Sequence, residues 1–134
     1  MEVDIVSLDT FPKLLAHHAQ VRGALAAIRE KDLGVWQTWT WGRFATEVRD
    51  LACGLAAHGL SRGAHLAIVG DNRPRLYAAM CAAQCLGAIP VPPYQAALAT
   101  DLPFPTQNPA IGFALTVAPK QAAKLPHSPP HCPT

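Results

Sequence analysis

The chain has 134 residues, of which 50% are hydrophobic and 15% charged, and its net charge is +2. That is the composition of one globular domain or a piece of one, and it excludes a disordered tail. Basic residues are scattered and never form a run, so no stripe for a nucleic-acid backbone is visible; no segment reaches the ~18 consecutive apolar residues of a membrane span.

The opening, MEVDIVSLD, is acidic and lacks the basic start and apolar stretch of a signal peptide, so the expected compartment is the cytoplasm. Asp9 and Thr10 offer a capping oxygen, and Pro12 suits a first helical turn. Phe11, Leu14, Leu15 and His18 share one face, which predicts a short amphipathic helix to about Gln20. Residues 24–30 read as a strand, Lys31-Asp32-Leu33-Gly34 as a turn, and residues 35–39 as a second strand rich in Val, Thr and Trp. The pair predicts a hairpin.

Thr40 is a good N-cap for the clearest helix. Trp41, Phe44, Val48, Leu51 and Leu55 recur at helical spacing, with Arg43, Glu47 and Asp50 on other faces. Gly59 supplies a left-handed exit, and Leu60 the apolar contact that often follows one. Residues 64–69 are a short apolar strand and Gly70-Asp71-Asn72-Arg73 a turn. Pro74 opens a helix that ends at Gly87. Residues 88–91 are another short strand, where Pro90 argues for an edge or a terminus. Strand, helix, strand at this spacing predicts a parallel βαβ unit.

The helix over residues 74–86 is apolar almost all round, and such helices are buried on several sides. The chain has little material left to cover it, which points to missing sequence or a partner chain. Past Tyr94 prolines accumulate. Residues 111–117, IGFALTV, still read as a strand, and residues 119–125 as a helical turn or two. The last nine residues, PHSPPHCPT, cannot form a helix or a sheet interior.

Few constellations carry chemistry. Cys81 and Cys85, with His127 and His131, make a nominal Cys-x3-Cys…His-x3-His set beside Cys132, but the intervening stretch is far longer than the roughly 12–15 residues of a compact zinc finger. Buried thiols and exposed imidazoles are the expected reading. Cys53, Cys81 and Cys85 lie in apolar helical segments, where cysteine acts as a small buried hydrophobe. His18 is expected to pack its ring edge and His17 to be solvated. Trp36, Trp39 and Trp41 read as core packing rather than a ligand cage. Gly70 to Arg75 follows a strand and opens a helix, the place where α/β proteins bind phosphate. It lacks G-x-G-x-x-G, Pro74 removes an N–H, and Asp71 repels an anion, so a turn with an Asx-type helix cap is expected. The alternative reading has Arg73 and Arg75 bridging to a missing part of the protein.

Several blocks resemble AMP-forming long-chain acyl-CoA synthetases, within the adenylate-forming ligase superfamily. TFPKLLAHHAQ is similar to the first helix of that family and IREKDLGVWQTWTW to its opening hairpin. Thr40-Trp41-Gly42-Arg43-Phe44 resembles the first core motif, and Leu86 through Pro93 to Tyr94 the second. GDNRPRLYAAM is similar to the segment between them in the bacterial long-chain branch. The likeness fades after Gln95, where expected acidic residues are replaced by Ala, Pro or Thr.

The resemblance implies a partial α/β N-terminal subdomain: residues 1–95 as an incomplete AMP-binding domain, 96–125 as its degenerate continuation, and 126–134 as an irregular tail. Intact relatives use ATP, magnesium and coenzyme A to turn a fatty acid into acyl-CoA, AMP and pyrophosphate. Their Ser/Thr/Gly-rich phosphate loop ending Pro-Lys-Gly has no counterpart here, nor does their catalytic lysine. No catalytic, cofactor-binding or metal residue is therefore assigned. The expectation is a truncated ligase piece, inactive alone, whose partner is the remainder of the enzyme or another chain over helix 74–86. A non-catalytic interaction fragment or an unstable gene remnant is the alternative.

Overall fold

A computed structural model describes residues 6–93 and 111–117. Helix α1 (Phe11–Arg22) leads into a hairpin of strands β1 (Ala26–Asp32) and β2 (Val35–Thr40). Helix α2 (Trp41–Ala57) follows, then β3 (His65–Val69), α3 (Pro74–Cys85), β4 (Ile89–Val91) and β5 (Ile111–Thr116). The α/β class, the hairpin and the parallel βαβ unit are as the sequence predicts. β3 lies between β4 and β5 and is parallel to both. The readings of residues 119–125 and of the Pro-rich end lie outside the described residues, as do His127, His131 and Cys132.

Both early helices begin on a threonine. Thr10 Oγ1 accepts from the Lys13 N–H at 3.4 Å, and Thr40 Oγ1 from the Arg43 N–H at 3.2 Å, satisfying one otherwise orphaned donor each. Helices α2 and α3 end in the same way. The Gly59 N–H donates to the Ala56 carbonyl (2.9 Å) and Leu60 N–H to Leu55 (3.0 Å); Gly87 and Ala88 repeat this with Gln84 and Ala83 (both 3.0 Å). These are Schellman closures, and each places its glycine at positive φ, 92° and 69°. They turn the chain sharply from helix to strand.

The hairpin is longer than the sequence indicates. Pairing continues to Asp32 opposite Val35, so the turn shrinks to Leu33-Gly34. Both residues have positive φ (47° and 83°), the pattern of a type I′ turn, whose twist matches that of the strands. Strand β1 also starts two residues later, because Gly23 and Leu25 carbonyls accept from Gly42 and Trp41 N–H groups rather than entering the ladder.

Helix α2 buries Phe44, Val48, Ala52 and Leu55 along one face, and β3 is buried from Leu66 to Val69. Helix α3 is covered mainly from within. Ala79, Ala82 and Ala83 are fully buried, and the helix packs on α2, α1, β3 and β4. Four alanines let these neighbours approach closely, so little chain covers much helix. The exposed remainder is Arg75, Tyr77 and Cys85.

β3 leaves the sheet at Gly70, where an added Cβ would fall onto the Val117 side chain. Gly70→Ala is therefore expected to destabilise the chain by roughly 1–3 kcal/mol through overpacking. Gly54→Ala, on an exposed stretch of α2 with nothing within 4 Å, is expected to stabilise it by about 0.5–1 kcal/mol. Urea unfolding of both variants checks the opposite signs.

Candidate functional site

A cleft of about 680 Å³ opens where β3 ends and α3 begins, with the hairpin as its far wall. This is the crevice beyond the carboxyl ends of the strands, where open α/β sheets take ligands. Asp71 lines it from the turn after β3, and Arg73, Pro74 and Arg75 bring the first turn of α3 to its rim. Glu30, Asp32, Gln37 and Trp39 line it from the hairpin, and Arg43 from α2.

Its charges largely neutralise one another. Arg73 Nη1 lies 3.1 Å from Asp32 Oδ1 and 3.5 Å from Glu30 Oε2. Asp32, bonded to the guanidinium, holds Arg73 above its already high ordinary pKa, with Glu30 adding to the effect. Arg73 thus ties the N-terminus of α3 to the hairpin across 41 residues of sequence, instead of reaching outside the chain. The Arg43 guanidinium sits 4.2 Å above the Trp39 ring, a cation–π contact on a buried aromatic. Three arginines face Glu30, Asp32 and Asp71.

A nucleotide phosphate does not fit this arrangement. Pro74 has no N–H to offer, and the Leu76 N–H is taken by the Arg73 carbonyl at 2.9 Å. Arg73 is engaged by two carboxylates, and the Asp71 side chain also lines the cleft. The expected Asx cap is not formed. Arg73 is the N-cap and gives no side-chain bond, while Asn72 Oδ1 accepts from the Tyr77 hydroxyl. Asn72 is drawn along the helix by a phenol one turn on, which outcompetes a bond to the backbone. Among the described residues no group of three His, Cys, Asp or Glu side chains could hold a metal ion.

The other singled-out residues scatter. Trp39 is buried, but Trp36 is 63% exposed, because the hairpin tip projects past the body. His18 stacks at a tilt on Trp41, ring centres 4.7 Å apart. His17 is half-buried rather than solvated, since α1 packs on both α2 and α3. His17 Nε2 and His18 Nδ1 are buried atoms without a hydrogen-bond partner. Of the helical cysteines only Cys81 is buried; Cys53 and Cys85 point off the packed faces and are exposed. The sequence did not mark the Arg73 to Glu30 and Asp32 tie, although a basic residue opening a helix and two acids alternating on a strand were its traces.

The fold and its parallel unit are those of the N-terminal subdomain of adenylate-forming ligases. The family profile "AMP-binding enzyme" matches residues 15–131, and the chain belongs to that family. O-succinylbenzoate coenzyme A synthetase (MenE) of Bacillus subtilis, solved with AMP, is 27% identical with a TM-score of 0.67; the match covers 76% of this chain and 26% of that one. The N-terminal domain of FACL13 from Mycobacterium tuberculosis shares the fold at 23% identity and TM-score 0.73, covering 89% and 30%. The NpsA N-terminal subdomain of Klebsiella oxytoca does so at 19% and 0.75, covering 88% and 29%. The chain thus spans between 26% and 30% of these structures' length. No curated protein matches it.

Two outcomes test the site description. Arg73→Ala is expected to speed amide exchange across β1 and β2 by untying the hairpin, while α2 exchange is unchanged. Cys81 is pushed up to about 12 by burial, with Cys85 beside it contributing, from an ordinary 9.0. Above about pH 9 the unfolded thiol loses its proton while the folded one keeps it, so stability should fall as pH rises from 9 towards 12. Urea midpoints across that range should show the fall, and Cys81→Ala should flatten it.

Proposed function

We propose that this chain is the scaffold-forming N-terminal part of an AMP-dependent long-chain fatty acid–CoA ligase and does not itself form an adenylate. One observation carries the reading. The family match runs over residues 15–131, yet the 134 residues hold no Ser/Thr/Gly-rich loop ending in Pro-Lys-Gly. Phosphate-cradling backbone donors are what such a loop supplies, and the α3 N-terminus does not replace them.

The residues present do structural work in this reading. The hairpin, α2 and the βαβ unit form a platform, and ATP, magnesium and coenzyme A are handled by sequence outside it. The apolar groove of about 410 Å³ between α1, α2 and α3, with Phe11 70% and Tyr77 44% exposed beside it, is where further polypeptide of the enzyme packs. The long-chain assignment is supported by the likeness of GDNRPRLYAAM to that branch of the family. MenE, by its name, acts on O-succinylbenzoate, so the substrate class needs its own test.

The 134-residue chain mixed with ATP, magnesium and palmitate is expected to release no pyrophosphate; sustained release would overturn the scaffold reading. For the substrate class, residues 1–93 are grafted in place of the matching segment of a bacterial long-chain ligase. Palmitoyl-CoA synthesis is expected to survive, and its loss in a folded chimaera would count against the assignment.

A further inference from the structure

The tip of the β1–β2 hairpin concentrates features that water and the backbone both disfavour. Leu33 is 97% exposed, Val35 60% and Trp36 63%. Leu33 is also the one non-glycine residue with a positive φ (47°) among the described residues. A type I′ turn wants Asn, Asp or Gly at that position. Leucine there meets a steric penalty and leaves its side chain in solvent. When two costs fall on one side chain, a role outside the fold is the economical explanation.

The hairpin also sorts its charges by face. Successive side chains alternate sides along a strand, and Lys31 lies opposite Trp36 and Arg29 opposite Thr38. Arg29, Lys31 and Trp36 therefore share the outer face. Glu30 and Asp32 occupy the inner one, where Arg73 holds both. The carboxylates that would repel an anionic surface are drawn away from it. What remains outward is an apolar tip, an indole and two cations.

We propose that this hairpin tip docks on an anionic phospholipid surface, with Leu33 entering the acyl boundary, Trp36 at headgroup level, and Lys31 and Arg29 on lipid phosphates. Indole rings favour that depth. Stable peripheral binding needs an apolar and an electrostatic signal together, and the tip supplies both. Long basic side chains reach phosphates while their stems stay apolar. The docking surface stands whether or not the intact protein takes a fatty acid.

The test is co-sedimentation of the 134-residue chain with phosphatidylglycerol-rich vesicles and, separately, with phosphatidylcholine vesicles. Pelleting is expected with the first and little with the second. Lys31→Gln should weaken binding roughly five-fold, the effect of one cation near an anionic leaflet. Leu33→Asn should abolish most binding while leaving the melting temperature equal or higher, because asparagine suits the turn. A purely structural leucine would give the reverse, a lower melting temperature with pelleting unchanged. Absence of pelleting with phosphatidylglycerol, or pelleting indifferent to Leu33→Asn, would overturn the proposal.

Discussion

Everything in this subdomain depends on how closely α3 can be approached. Its buried positions are Pro74, Ala78, Ala79, Cys81, Ala82 and Ala83, nearly all small. Small side chains let α2, α1 and the sheet come near its backbone, so dispersion contacts are dense although the side chains are short. Fully buried Val48, Leu66 and Ile68 then fill the spaces between layers. A larger residue at Ala79 or Ala82 would lever two helices and a strand apart at once. The glycine closures at Gly59 and Gly87 serve the same geometry, since each returns the chain from helix to strand without a long loop.

The cleft beside this core has the position of an α/β ligand site without its chemistry. Two of its three arginines are occupied, Arg73 by carboxylates and Arg43 by an aromatic face, and its helix start opens on proline. The interactions there are structural ones: Arg73 holds the hairpin to α3, and Gly70 lets the sheet pass close to Val117. Both are exposed or partly exposed features whose worth lies in fixing orientation more than in net energy.

The order and type of the described elements were legible because helical and strand periods are clean in this chain. Thr10, Thr40, Gly59 and Gly87 carry their roles in their chemistry, so caps and exits were readable too. The hairpin turn was not, because Leu33 is a residue that type I′ geometry discourages, and no local rule places it there. Trp36, Cys53 and Cys85 were misread as interior for one shared reason. Hydrophobicity tells that a residue gains from burial, but not whether the tertiary fold brings anything to cover it. The Asx-type cap failed for a related reason: Tyr77, five residues on, takes the Asn72 side-chain oxygen, and side-chain competition is invisible to turn statistics. The Arg73 tie joins groups 41 residues apart and needed the fold itself to appear.

Pro90 has an effect that reaches past its own strand. Ile89 donates its N–H inward to the Ala64 carbonyl at 2.8 Å, so by alternation the nitrogen of Pro90 faces out. The β4 border of the sheet therefore lacks its central donor and makes a poor template for a further strand. β5, reading IGFALT, carries neither proline nor charge and forms the opposite border among the described residues. Among the described residues the sheet is consequently polarised, with one sealed margin and one receptive margin. Any β-structure added during assembly, wanted or unwanted, should accrete alongside Ile111–Thr116.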